Sequence, residues 1–200
     1  MSGQQKRNLK SMQFEKDLRN CLEVLKKGGV ILYPTDTLWG LGCDPSSSEA
    51  VQKIFRIKSR EANKSMIILV NGMSMLERYV DEIPSVAGQL IAVSDSPLTI
   101  IYPRGKNLAE GICAEDGSVG IRVCHDEFCN ELISRFRKPL VSTSANIAGR
   151  VPPSNFSEIE ESIINSADYT VRYRRDDKQR YSASQVIKVE KNGVISILRK

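Results

Sequence analysis

Three short segments hold the side chains best suited to chemistry. Tyr33-Pro34-Thr35-Asp36-Thr37-Leu38-Trp39-Gly40-Leu41-Gly42 sets hydroxyls and a carboxylate just beyond an apolar run, with two glycines that let the backbone turn tightly. A small polar ligand fits such a place, and so does a plain turn held by Thr and Asp side-chain hydrogen bonds. Lys58-Ser59-Arg60-Glu61-Ala62-Asn63-Lys64 gathers three cations within seven residues. Arg presents phosphate with a planar fork, and flanking ammonium groups offset the charge that builds at an attacked phosphoryl centre. The alternative is a solvated charge run. Ser142-Thr143-Ser144-Ala145-Asn146 offers three hydroxyls and an amide with little bulk, which lets a polar ligand approach the backbone or caps the next turn. Arg122 stands alone in the apolar run Val119, Ile121, Val123. A buried guanidinium must be paired, and a ligand's carboxylate or phosphate would pair it.

Other chemistries lack their residues. The chain has no Gly-x-x-x-x-Gly-Lys-Ser/Thr loop, no Gly-x-Gly-x-x-Gly and no Gly-x-Ser-x-Gly elbow. Its single histidine, His125, has no recognisable partner for a triad. The five cysteines, Cys21, Cys43, Cys113, Cys124 and Cys129, are scattered without a Cys-x-x-Cys pair, so structural disulfides are not expected. Cys124, His125 and Cys129 fall short of the four spaced ligands of a closed zinc site, and no protein-held metal is expected.

The elements that must position these residues read as α/β. Phe14, Leu18, Cys21, Leu22 and Leu25 recur at helical spacing and are stopped by Gly28-Gly29; Val30 to Tyr33 follows as a buried strand. Ala50, Val51, Ile54 and Ile57 line a second helix before a strand at Met66 to Val70, and further strands are expected at Leu98 to Tyr102 and Val119 to Val123. Asp126 can cap a helix carrying Phe128, Leu132, Ile133 and Phe136, which leads into a strand at Leu140 to Ser142. Asn192-Gly193 marks a terminal hairpin between Ser184 to Glu190 and Val194 to Arg199, because both turn positions tolerate positive φ. Residues 174–183 form a charge-dense connection, read as a mobile surface loop or a flap over an anionic ligand. The expected architecture is a twisted open mixed sheet with helices packed on it, as one domain over residues 12–200 behind a flexible basic tail at 1–11.

Composition agrees: 200 residues, 40% hydrophobic and 26% charged, suit one well-filled core. A net charge of +5 and a pI near 9.0 favour an anionic partner. The apolar runs are strand-sized and the N-terminus lacks a secretory signal's apolar stretch, so no membrane span and a cytoplasmic address are expected.

Taken in order, the segments resemble the YrdC family of threonylcarbamoyl-AMP synthases from Gly29 to about Arg199. The stretch 33–42 is similar to P-T-D-T-x-Y-G-L-G with Trp39 for Tyr, and Lys58-x-Arg60 with Lys64 is similar to K-x-R-x-x-x-K. Pro97-Leu98-Thr99 resembles the end of P-G-P-L-T, Gly120-x-Arg122 resembles G-x-R-x-P, and Ser142 to Asn146 matches S-T-S-A-N. The resemblance implies a basic cleft and a nucleotidyltransferase that joins ATP, L-threonine and bicarbonate and releases pyrophosphate, with Mg²⁺ as companion ion. It further implies Thr37, Arg122 and Ser142 on threonine, and Arg60, Lys64, Ser118, Ser144, Asn146 and Ser184 on ATP. Lys58 and Arg60 would neutralise charge at the reacting phosphate. Its partners would be tRNA or double-stranded RNA and the tRNA threonylcarbamoyl-transfer machinery, and the chain would be a short form without the C-terminal extension domain of some relatives. Ser65, Asp95-Ser96 and Cys124 depart from the pattern, and Leu69, where a polar group is common, removes a contact to threonine. Two other functions share these residues: a non-catalytic RNA-binding module, and a paralogue that adenylates a different carbamate.

Overall fold

The computed structural model describes residues 3–59 and 66–200, and its strands form one mixed sheet. In chain order these are β1 (Ile31–Tyr33), β2 (Gly40–Gly42), β3 (Ile67–Val70), β4 (Leu98–Tyr102), β5 (Val119–Val123), β6 (Leu140–Ser144), β7 (Tyr169–Thr170), β8 (Gln185–Val189) and β9 (Ile195–Arg199). Their spatial order is β7-β1-β2-β6-β3-β5-β4-β8-β9. The neighbours β1/β7, β3/β5 and β4/β8 run parallel and the remaining pairs antiparallel. The helices are α1 (Gly3–Lys26), α2 (Ser48–Ile57), α3 (Met73–Leu76), α4 (Ser85–Val93), α5 (Glu127–Phe136) and α6 (Glu161–Ser166). This is the α/β mixed sheet that the alternating apolar runs predict.

The apolar stripe of α1 buries Leu18, Cys21 and Leu25, and α1 lies against α5 with Phe14 edge-on to Phe128 at 5.4 Å between ring centroids. Asp126 caps α5 as expected, its Oδ1 accepting from the Cys129 N–H at 3.0 Å. The helix α1 starts earlier than its apolar periodicity indicates. From Gly3 to Ser11, read as a tail, it continues as helix, with Gln4, Gln5 and Asn8 to Ser11 exposed, because no Gly or Pro interrupts the run from Gln4 to Lys27.

Three further differences concern connections. Gly40 and Gly42, read as turn residues, lie in β2 between β1 and β6. A Cβ on Gly42 would come within 2.5 Å of Tyr33 Cε1 and 2.7 Å of the Val141 carbonyl oxygen, so close packing, not a turn, requires that glycine. At the last hairpin only Gly193 takes positive φ (84°), with Glu190 and Val194 bonded across it, which makes a longer loop than a two-residue turn. The charged connection 174–183 is tied down. Arg174 reaches Asp126 Oδ2 at 2.5 Å and the Thr35 carbonyl at 3.1 Å, and the Tyr181 N–H donates to the Ser154 carbonyl.

Register then decides which side chains meet. Residues paired across strands share a face, so Leu140, Leu69, Arg122, Thr99, Val186 and Arg199 form one row across β6-β3-β5-β4-β8-β9. Ser142, Ile67 and Gly120 form the neighbouring row on the same face, and Gly40 with Ser144 forms the next one along β2 and β6. The strand β3 begins opposite Ser142, which leaves Thr143 and Ser144 without a β3 neighbour and opens that edge of β6.

Candidate active site

At this open edge lies a cavity of about 230 Å³ lined by Thr37, Leu38, Gly40, Met66, Ile67, Arg122, Ser142, Thr143, Ser144, Pro152, Ala183, Ser184 and Arg199. Five of the residues expected at the site from sequence, Thr37, Arg122, Ser142, Ser144 and Ser184, are thus brought together from four separate parts of the chain, Ser142 and Ser144 sharing β6. Ile67, which lines the cavity, packs on Gly120 of β5, where a Cβ would stand 2.9 Å from Ile67 Cγ2, so glycine is what allows this close approach.

Arg122 is 2% exposed and meets Asp36, Nη2 to Oδ1 at 2.9 Å. The contact is an ion pair without hydrogen-bond alignment: Arg122 Nε and Nη2 and both Asp36 carboxylate oxygens are buried with no hydrogen-bond partner. Asp36 offsets the charge while the guanidinium's directional donors stay unmet, which is costly in a low-dielectric setting unless an external acceptor completes it. Because the cavity opens onto Arg122, a ligand carboxylate or phosphate can supply that acceptor. Asp36 is the partner that sequence reasoning did not assign. The signal was present in two lone charges, one in an apolar strand and one just after another, each needing the other.

The hydroxyls of Thr35 and Thr37 have a defined order. Thr35 Oγ1 donates to the Leu38 carbonyl at 2.8 Å and accepts from the Thr37 N–H at 3.0 Å. Its single proton is therefore used, and the 3.0 Å contact between the two hydroxyls has Thr37 as donor. That leaves Thr37 Oγ1 lone pairs for a donor in the cavity, such as an amine. The turn reading of this segment describes Thr35, whose side chain bonds within it, while Thr37 lines the cavity.

Lys58 is placed differently from a phosphate grip. It is buried, and its ammonium donates to the main-chain carbonyls of Ser144 and of Asn146, the latter at 2.7 Å. It therefore braces the bend after β6 and does not line the cavity. Asn146 serves the same bend, its Nδ2 donating to the Ile147 and Arg150 carbonyls at 2.9 and 2.8 Å while Oδ1 stays buried and unpartnered. Ser118 precedes β5 on the side of Gly120 and Arg122 but stands outside the cavity lining, its N–H donating to Asp116 Oδ1. Arg60 and Lys64, with Ser65, lie outside the described residues. Leu69 is fully buried beside Arg122, which confirms an apolar neighbour where a polar one was possible.

Burial pushes the Cys21, Cys43 and Cys129 thiols well above their ordinary range, with nearby carboxylates adding to it, so these thiols stay protonated. Among the described residues no group of three or more His, Cys, Asp and Glu side chains could hold a metal ion.

Fold and site together define an α/β protein with a polar, arginine-bearing cleft on one sheet face. Residues 23–200 match the Sua5/YciO/YrdC family model, whose description is "Telomere recombination". The chain belongs to the Sua5/YciO/YrdC family. It is 38% identical to the threonylcarbamoyl-AMP synthase of Psychromonas ingrahamii over 137 residues, covering 67% of this chain and 72% of that one. It is 31% identical to the synthase of Blochmanniella pennsylvanica over 150 residues, covering 74% and 77%. Among solved structures, P. abyssi Sua5 complexed with L-threonine superposes with a TM-score of 0.76 at 25% identity, covering 86% of this chain and 50% of that chain. The chain thus spans half the length of that Sua5. E. coli YciO, with a TM-score of 0.75 at 23% identity and coverage of 92% and 88%, shares the fold.

Proposed function

We propose that this chain is a threonylcarbamoyl-AMP synthase, which condenses L-threonine, bicarbonate and ATP into threonylcarbamoyl-AMP and releases pyrophosphate, for use in tRNA modification. The observation that carries the reading is Arg122, a buried guanidinium with unmet donors at a cavity of amino-acid size. The relatives' synthase names and the threonine complex of Sua5 support it.

In this reading the threonine carboxylate takes the open donors of Arg122, and its amine donates to Thr37 Oγ1, with Ser142 alongside. The neutral amine adds to the bicarbonate carbon with loss of water, giving an N-carboxylate. One oxygen of that carboxylate then attacks the α-phosphorus of ATP, and the bond to the bridging oxygen breaks as pyrophosphate leaves. Two anions must approach each other for this to happen, so the protein's contribution is positioning and charge neutralisation, with no dedicated base. Arg60 and Lys64 are assigned to the phosphates, with Ser144 and Ser184 along the cavity wall and Ser118 beyond its described part. Lys58 and Asn146 act through the bend that presents Ser144.

Magnesium enters as the counter-ion of ATP. The described residues offer it no ligand cluster, and no step is routed through a protein-held metal. In this reading the product passes to the tRNA threonylcarbamoyl-transfer machinery and the activity is assigned to the cytoplasm; no described helix is long and apolar enough to cross a membrane. The net charge of +5 suits ATP and an RNA partner alike.

The test is product identity. Purified protein given ATP, threonine and ¹³C-bicarbonate should yield an adenylate whose mass carries threonine and the isotope. An adenylate without the label, or none at all, would remove the assignment.

A further inference from the structure

Ser184 is assigned to the substrate, but its hydroxyl is held by a residue that has no place in the reaction scheme. Thr99, in β4, is fully buried, and its Oγ1 lies 2.8 Å from Ser184 Oγ. In the row of paired residues Thr99 sits between Arg122 on β5 and Val186 on β8, immediately behind the cavity wall. It does not itself line the cavity, whereas Ser184 does.

The direction of this hydrogen bond follows from what each hydroxyl can reach. Thr99 Oγ1 has no other hydrogen-bond partner among the described residues. If Ser184 donated, the Thr99 proton would be buried without an acceptor, which costs more than a hydrogen bond gains. Thr99 is therefore the donor. Ser184 also receives Arg199: Nε donates to the Ser184 carbonyl at 2.8 Å, and Nη2 stands 3.4 Å from Ser184 Oγ. With its lone pairs engaged by Thr99 and Arg199, Ser184 Oγ keeps one function, the donation of its own proton, and the cavity it lines can hold the acceptor. Donation from a hydroxyl that itself accepts from an arginine is polarised towards an anionic oxygen.

We infer that Thr99 is a positioning residue: it donates to Ser184 Oγ and so fixes the Ser184 hydroxyl as a hydrogen-bond donor to an anionic oxygen of the substrate, a phosphate of ATP or the carboxylate of the amino acid. The inference rests on the proposed reaction for the identity of that anion, and on geometry alone for the proton order.

A mutant cycle read by titration calorimetry separates the two. ATP and threonine are titrated separately into the wild type, Thr99→Val, Thr99→Ser, Ser184→Ala and the Thr99→Val/Ser184→Ala double variant. Val has the shape of Thr without the hydroxyl, so Thr99→Val is expected to weaken one ligand by roughly 3- to 10-fold, the span of one net hydrogen bond. The ligand weakened identifies the anion. Thr99→Ser should return affinity to within about twofold of wild type, and the double variant should bind no more weakly than Ser184→Ala, because Thr99 acts only through Ser184. Unchanged affinity for both ligands in Thr99→Val, or losses that add in the double variant, would overturn the inference. Should Thr99→Val fail to fold, Thr99→Ala carries the same cycle with the same criteria. A wild type that binds ATP or threonine yet releases no pyrophosphate would count against the proposed reaction, while the cycle still decides the role of Thr99.

Discussion

Arg122 and Asp36 stand 2.9 Å apart in a buried ion pair whose donors and acceptors are not aligned. Such a pair is held by the fold, not by its own hydrogen bonds, and it remains able to bind something else. Asp36 keeps the arginine tolerable without a ligand; the missing alignment keeps its donors available to one.

Arg122→Gln should therefore abolish most of the activity. Loss of one member of a buried charge contact costs about 2–5 kcal/mol, or roughly 30-fold to several thousandfold in kcat/KM for threonine. Steady-state kinetics with varied threonine checks this. Asp36 left alone should also lower the melting temperature, and Asp36→Asn in the same chain should recover part of that loss without recovering activity.

Thr37→Val tests the order of the hydroxyls. The Thr35 bond to Leu38 does not need the Thr37 side chain, so thermal stability should hardly change, while KM for threonine should rise by roughly 3- to 10-fold for one lost acceptor. A fall in kcat with KM unchanged would contradict the assignment.

Much of this arrangement was legible in the sequence because the residues concerned break their local pattern. Arg122 interrupts an apolar strand, and Ser142 to Asn146 follow one directly; a buried strand tolerates such residues only where they find partners. Helix α5 and its Asp126 cap were legible for the same kind of reason, a polar residue set immediately before an apolar stripe. What the sequence hid is long-range. Gly40-Leu41-Gly42 reads as a turn because nothing local reveals that the Tyr33 ring and the Val141 carbonyl crowd Gly42. Lys58 reads as part of a phosphate grip because its carbonyl partners, on Ser144 and Asn146, lie 86 and 88 residues away. The first turns of α1 have no apolar periodicity to announce them.

Lys58→Met should reveal that bracing role. Removal of a buried ammonium from two carbonyls leaves both acceptors unmet, at a cost of about 1.5–3 kcal/mol, offset in part by the apolar stem of Met. Chemical denaturation should register this loss, and the KM for ATP should rise as the Ser144 bend loosens. Unaltered stability would show that Lys58 does not hold the bend.

Gly42→Ala probes packing alone. A methyl group 2.5 Å from the Tyr33 ring and 2.7 Å from a main-chain oxygen forces β1, β2 and β6 to shift, for about 1–3 kcal/mol of destabilisation measured by denaturant titration. Gly149→Ala is a different case, with open space around the added carbon and strain from φ of 83° only.

Acid stability should depend on Asp168. Burial disfavours its charged form, but Lys53 at 2.5 Å and the Val30 N–H outweigh this and hold its carboxyl below the usual carboxylate range. A depressed folded-state pKa stabilises the fold above the unfolded value, near 4, and the benefit disappears as pH falls through the folded value. Melting temperature followed from pH 6 downwards should fall less steeply below about pH 4 in Asp168→Asn than in the wild type. Parallel curves would exclude the contribution.

The most direct measurement is pyrophosphate release by the wild type with ATP present and threonine or bicarbonate withheld in turn. Convergence of these side chains on one amino-acid and nucleotide site predicts release only when all three substrates are supplied, and its loss in Arg122→Gln. Release that continues without threonine, or that survives in Arg122→Gln, would contradict it.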